Sequence, residues 1–464
     1  MNETIRNLGI KELGELYRKR ELSPVEVTKN LLELIHSDKE INAFITVTDE
    51  KALRDAQKSE QRFLKEGPLS PMDGIPYSAK DNYFTKGILT TIGSAIYKDF
   101  YPEYNASVIN RLDGAGAVLV GKNNTHEFAS GATNDVNFCG PCKNPRNLSK
   151  VPGGSSGGSA AALAAHMVPA AIGTDTTGSL RLPASCCGVV GMKPTQGRVS
   201  KYGVYPLSNS LDHTGPLTRS VEDSAILLGA MAGYDPLDPM SLNVPAADFT
   251  QEIGENVKNL VIGVPYGIFE DTTEYCVYDD VMKSIAILRD MGAVIKPMED
   301  PDPTKEYGEA CKIVRICEAY DLHRNNLEEK GELYSPEIFN AMQVGRGYHA
   351  YEYIEAMRLR GEFKNKFTNM MDGVDAMLMP TMPLLPSNIY QREVFIRGIK
   401  HSIFTRYNLF TLIPSFTGFP ALSIPCGFNS ENLFSSLQIL TKAFGESRAY
   451  RIGYQVEKAL NLSI

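Results

Sequence analysis

The chain has no basic block. Its 47 Lys and Arg stand against 55 Asp and Glu, for a formal charge of −8, and the cations are scattered, which argues against a nucleic-acid surface. A long apolar run is missing too. The longest, from Ala160 to Ile172, is broken by His166 and Pro169 and is a poor candidate for crossing a membrane. The first residues, MNETIRNLGIKELGELYRKR, carry charges where a secretory signal needs an apolar core, so a cytoplasmic protein is expected. Cysteine is sparse: eight in 464 residues make no disulfide framework. Cys139 and Cys142 spell CGPC, but amid turn residues, with no second pair and no paired histidine; the redox and zinc readings are set aside. Cys186 and Cys187 read as buried small hydrophobes. No histidine sits in a loop with an obvious carboxylate partner. His213, in NSLDHTGPL, comes nearest and reads as structural.

What is present is the balance of a globular protein, 43% hydrophobic and 22% charged. The segment SPVEVTKNLLELIHS places Ser23 and Pro24 where a helix cap and first turn belong. INAFITVTD reads as a strand and KALRDAQKSEQRFLKEG as an exposed amphipathic helix. SVINRLDGAG followed by AVLVGK gives a helix, a glycine turn and a buried strand. The unit returns as VMKSIAILRDMGAVIKPM, after the strand NLVIGVPYG. This alternation predicts an α/β fold: one large mixed, mostly parallel sheet covered by helices on both faces. GAVLVGKN approaches a phosphate-binding loop, but Asn123 replaces the hydroxyl, and Ala117 to Val120 form a strand-like run rather than a cradle of amides. The stretch from Gly233 to Asn259, rich in Asp, Pro and Asn, reads as a long surface crossing.

Three loops of small residues remain. MDGIPYSAKDN sets Lys80 among Ile75, Pro76, Tyr77 and Ala79; VPGGSSGGSAAALAA carries Ser155 and Ser156; GTDTTGSLRLPAS carries Ser179. The glycine cluster before the alanine-rich run is open to three readings: a tight turn, an anion site at a helix N-terminus, or a serine that does chemistry. A serine nucleophile needs a base. Lysine serves if desolvation or a cationic neighbour brings its pKa down several units from about 10.4, and the apolar flank of Lys80 is consistent with that.

These motifs resemble the amidase signature family over most of the chain: GIPYSAKDN, PGGSSGGSAAA, GTDTTGSLRLPA and GMKPTQGRVS in order, with weaker echoes in DAMLMPTMPLLP and FTGFPALSIPCGF. The resemblance implies a single amidase domain over 1–464, with an N-terminal helical segment (1–68), a catalytic core (69–232) and a region that completes the sheet and pocket (233–464). It implies a catalytic trio of Lys80, Ser155 and Ser179, in which Ser155, after a cis peptide, relays a proton between the lysine and the nucleophile Ser179. Ser156 is a supporting hydrogen-bond partner. Backbone amides of Thr176, Thr177, Gly178 and Ser179 form the oxyanion site, and Asp175 and Arg181 hold the loop's shape. Thr177 stands where the family commonly has glycine. Either the backbone there already has negative φ, or the oxyanion site is altered.

The reaction implied is hydrolysis of a small-molecule amide, releasing ammonia or an amine, with no metal or cofactor. The alternative within the family is the glutamine-splitting component of a tRNA-dependent amidotransferase, its A chain, the one case that requires partner subunits. Leu182 after Arg181, where that component carries Gln, and the absence of Gly-Leu-Pro before the C-terminal Leu-Gln strand lean toward a stand-alone hydrolase. An inactive binding protein on the same fold is a third reading, opposed by retention of all three side chains. The acyl pocket is expected to draw on Gly131 to Asn134 and Met342 to Arg346, with Arg346 a candidate for a substrate carboxylate. A homodimer is left open.

Overall fold

The computed structural model describes residues 3–245, 247–301 and 306–462. Its thirteen strands among these residues are β1 (Phe44–Val47), β2 (Pro76–Lys80), β3 (Val118–Asn123), β4 (Ala170–Asp175), β5 (Val190–Lys193), β6 (His213–Thr218), β7 (Val261–Val264), β8 (Val294–Pro297), β9 (Ala376–Pro380), β10 (Glu393–Ile396), β11 (Ile399–Ser402), β12 (Ala421–Phe428) and β13 (Phe434–Leu440). Eleven form one sheet in the order β1-β3-β2-β4-β6-β5-β12-β13-β9-β7-β8, and β10 and β11 form a hairpin apart. The sheet is mixed. Parallel pairings gather in two blocks, β3-β2-β4 and β9-β7-β8, joined by antiparallel pairings from β4 through β6, β5, β12 and β13 to β9.

Side chains alternate across the pleat, and that alternation divides the interior in two. Leu119, Ala170 and Ile172 point into one core, whereas Val118, Val120 and Ala171 point into the other. The first core is closed by helices that include Val221–Met231, through Ala225 and Leu228, and Glu446–Leu460, through Ala449 and Ile452. The second is closed by Asp49–Lys65, through Ala52 and Ala56, and by Gly157–Ala164, through Ala160 and Ala161. Both faces are therefore covered by helices.

Local signals fall where expected. Ser23 Oγ accepts from Glu26 N at 3.1 Å, with Pro24 opening the helix Pro24–Ser37. The phosphate-loop lookalike is β3, buried at all six positions. Lys122 in it donates to Tyr83 O (2.6 Å) and Thr90 Oγ1 (2.8 Å), inside the protein. The described residues of 233–259 hold no helix or strand. The CGPC loop is clamped by Asn42 Nδ2, which donates to the carbonyls of Cys139, Gly140 and Pro141. All eight cysteines are free thiols.

Parallel pairing of β2 with both β3 and β4 brings three C-terminal strand ends side by side, the place where open α/β sheets build sites. Lys80, Asn123 and Asp175 are the last residues of those strands.

Candidate active site

Lys80 is fully buried at the end of β2. Its Nζ lies 2.7 Å from Ser155 Oγ and 2.7 Å from Thr174 Oγ1, and no carboxylate touches it. Burial without a counter-ion penalises the ammonium, and the more distant charges of Asp212 and Asp175 offset that only in part. The Lys80 pKa falls to about 7.

Ser155 follows a cis peptide at Gly154–Ser155 and is itself fully buried. Its carbonyl accepts from Thr125 Oγ1 (2.9 Å) and His126 N (3.2 Å), which fixes the loop against the turn that follows β3. Gly158, at the start of the helix Gly157–Ala164, explains the need for small residues. A Cβ there would lie 2.4 Å from Asn124 O, so the helix approaches this turn backbone to backbone. Ser156 bonds to the backbone at the end of β4. Its Oγ donates to Thr174 O (3.1 Å) and accepts from Thr174 N (3.3 Å), holding the residue that contacts Lys80 from the other side.

The second serine loop is built around a buried ion pair. Asp175 accepts from Gly178 N (2.7 Å), Leu180 N (3.2 Å) and Arg181, whose Nε and Nη2 each lie at 2.9 Å. Burial alone would raise the Asp175 carboxyl, but the Arg181 guanidinium outweighs it and holds the pKa at about 2. Arg181 also donates to Thr411 O, Gln438 Oε1 and Ser415 Oγ, so all five of its N–H groups are used. Thr176 Oγ1 donates to Asp212 Oδ1 at 2.6 Å. Ser156 N donates to Ser179 O at 3.3 Å, tying the two serine loops together.

Thr177 lies outside the positive-φ residues, and the left-handed conformation falls on Gly178 (φ +132) instead. Threonine therefore fits the loop without strain. Its carbonyl accepts from Thr411 Oγ1 (2.6 Å) and its Oγ1 from Asn408 Nδ2 (2.9 Å). Gly178 departs from expectation: its N–H is spent on Asp175, because the tight turn folds that amide back onto the carboxylate. The amides of Thr176, Thr177 and Ser179 have no partner among the described residues.

Ser179 stands on the wall of a cavity of about 340 Å³ that also exposes Gly131, Ala132, Leu182, Val344, Asn408 and Arg315. Of the residues expected at the acyl pocket, Gly131, Ala132 and Val344 line this cavity. Arg346 is exposed and does not line this cavity; Arg315, from the helix Glu306–Glu329, does. His213 is buried, with Nδ1 2.7 Å from Leu211 O, and burial pushes it well below its ordinary pKa. It remains a neutral structural residue. Sequence reasoning missed Thr174, Asn408, Thr411 and Arg315. Thr174 was visible as a hydroxyl inside the motif GTDTTGSLRLPA, four residues before Gly178, whereas nothing local marked the others.

The sequence profile of the amidase family matches residues 26–449. The chain belongs to the amidase family. It is 38% identical to the A chain of the glutamyl-tRNA(Gln) amidotransferase of Geobacter sp. (strain M21), over 97% of each chain. Among solved structures, a vestigial protein complex bearing on the origins of an s-triazine catabolic enzyme superposes with a TM-score of 0.93 at 31% identity, covering 98% of this amidase and 99% of that chain. The A chain of the Thermotoga maritima glutamyl-tRNA(Gln) amidotransferase superposes with a TM-score of 0.83 at 32% identity, covering 99% and 96%. The protein is an amide-hydrolysing enzyme. No helix among the described residues is long and apolar enough to cross a membrane.

Proposed function

We propose that this amidase splits its substrate's carbon–nitrogen bond through an acyl ester on Ser179. The observation that carries the reading is a fully buried lysine with no carboxylate in contact, 2.7 Å from the hydroxyl of Ser155. Neutral Lys80 accepts the Ser155 proton as Ser155 Oγ accepts that of Ser179. Ser179 Oγ then attacks the carbonyl carbon. The carbonyl oxygen gathers negative charge against the amides of Thr176, Thr177 and Ser179, each such donor contributing about 2.7–4 kcal/mol. The C–N bond breaks as the proton returns through Ser155 to the departing nitrogen, and water, activated by the same relay, cleaves the ester to the free acid.

Ser179→Ala and Lys80→Ala should each abolish ammonia release while leaving the circular dichroism spectrum unchanged, and a fluorophosphonate probe should label Ser179 in the parent. Turnover persisting in either variant would refute the assignment.

A second reading has its own support. Relatives that match nearly the whole chain are the A components of glutamyl-tRNA(Gln) amidotransferases, which favours a glutamine-splitting role within a complex over the stand-alone hydrolase suggested by Leu182. In that role the enzyme works with partner subunits. Ammonia release from glutamine that rises on adding such partners supports the role in a complex; efficient release from simple amides by the chain alone supports the hydrolase.

A further inference from the structure

A cavity of about 430 Å³ has Thr174, Lys201, Asp212 and His213 in its wall and shares no lining residue with the cavity at Ser179. Thr174 Oγ1 is 2.7 Å from Lys80 Nζ, so this second cavity comes within one side chain of the lysine. The register of β4 and β6 explains how Asp212 arrives there. Antiparallel pairing sets Asp175 opposite His213, and one step further Asp212 falls opposite Thr176, just beyond both strand ends.

The two oxygens of Asp212 are divided between two segments. Oδ1 accepts from Thr176 Oγ1 at 2.6 Å, whereas Oδ2 accepts from Leu207 N (2.8 Å) and Ser208 N (3.0 Å) in the turn that leads into β6. That turn is itself anchored. Glu318, on the helix Glu306–Glu329, accepts from Ser208 Oγ, from Ser210 N (3.0 Å) and from the Tyr353 hydroxyl (2.8 Å). Asp212 therefore ties Thr176, whose amide is unspent, to a fixed point outside its own loop. An asparagine at 212 would turn its NH2 group toward one of these donors.

The charge of Asp212 is unpaired as well as placed. No cation lies within ion-pair distance of it among the described residues; Lys201 acts on it from further off and donates to Asn209 O. Asp238, in the same wall, is bound by the amides of Lys201 and Met240, and His213 is neutral. The charged groups acting on Lys80 are Asp212 and Asp175, and the ring of His126, from the turn after β3, is uncharged at neutral pH. Asp175 is neutralised by Arg181, which leaves Asp212 as the net negative charge beside the lysine.

We propose that Asp212 is a positioning residue for the reaction: it holds the Thr176 amide in place for the oxyanion and presents its negative charge to Lys80 past Thr174. The proposal rests on the acyl-serine reading above and adds one residue to it. A carboxylate at this position stabilises the ammonium form, so its removal lets Lys80 lose its proton at lower pH.

The test follows the rate at which a fluorophosphonate labels Ser179 in the full chain between pH 5 and 9, with folding checked by circular dichroism. In the parent the rate should rise to a plateau with its midpoint near the Lys80 pKa of about 7. Asp212→Asn should move the midpoint down by about one pH unit. Thr176→Val keeps the amide and the carboxylate but loses the hydroxyl; it should lower the plateau about tenfold and leave the midpoint in place. A merely structural Asp212 would slow labelling equally at every pH. A midpoint unmoved in Asp212→Asn, or a plateau undiminished in Thr176→Val, overturns the proposal; if Asp212→Asn does not fold, the Thr176→Val plateau decides it. Ser179→Ala is run in parallel. Labelling that survives there removes the acyl-serine reading, whereas labelling confined to Ser179 with an unmoved midpoint removes only the role of Asp212.

Discussion

The lowered pKa of Lys80 follows from what does not touch it. Both of its short contacts are hydroxyls, from Ser155 and Thr174, and neither neutralises an ammonium as a carboxylate would. With a pKa of about 7, the side chain is charged below neutrality and uncharged above it. Only the uncharged form accepts a proton. On an amide whose own charge is constant over the range, kcat/KM should climb about tenfold per pH unit below 7 and level off above it, as expected for a single essential base; a profile flat from pH 5 to 9 would contradict the role. Lys122 makes the contrast. It is equally buried, but Asp81 lies 3.4 Å away, so this lysine has a counter-ion, and its hydrogen bonds go to Tyr83 O and Thr90 Oγ1. The two look alike along the chain, each a lysine at the end of an apolar run. The motif around Lys80 told them apart, and their partners explain why. Thr177 is a similar case: its identity raised a doubt about the loop that its backbone removes, because Gly178 alone takes the positive φ.

At the scale of elements, the site depends on how a loop is held between β4 and the helix Arg181–Cys187. Asp175 binds both the loop amides and Arg181, and Arg181 in turn reaches Gln438 on β13 and Thr411 and Ser415 near the helix Leu412–Thr417. The loop is thereby fixed to elements far along the chain. Replacing Arg181 with alanine leaves a buried carboxylate unpaired, and urea denaturation should show a loss of about 3–5 kcal/mol. A loss under about 1 kcal/mol would mean that the pair does little for the fold. The sequence pointed to Asp175 and Arg181 because they flank the motif. It carried no hint of Gln438 or Thr411, since contacts between distant segments leave no local periodicity. Strand existence was legible for the same reason that strand direction was not: apolar runs mark burial, whereas parallel or antiparallel pairing depends on how the chain returns.

Over the whole molecule, the sheet is closed by its last strands. β12 pairs with β5 and β13, and β13 pairs with β9, so these two connect the block carrying Lys80 and Ser179 to the block β9-β7-β8. Residues 233–464 complete the same sheet, and the cavity at Ser179 takes walls from Arg315, Val344 and Asn408 within them. We expect a fragment of residues 1–232 to show no cooperative urea transition by circular dichroism, having lost a neighbour for β5; a sharp transition would instead mark an independent catalytic domain.

The amino-acid sequence by itself determined the chemistry available: a lysine in an apolar setting, two serines among glycines, and an aspartate and an arginine flanking the second loop, all written in short segments whose meaning is local. The tertiary structure decided what those groups become. Desolvation of Lys80, the spending of Gly178 N–H on Asp175, and the presence of Arg315 rather than Arg346 in the cavity at Ser179 arise from segments packed together from across the chain. Burial and charge pairing are properties of that packing, and no single stretch of residues carries them.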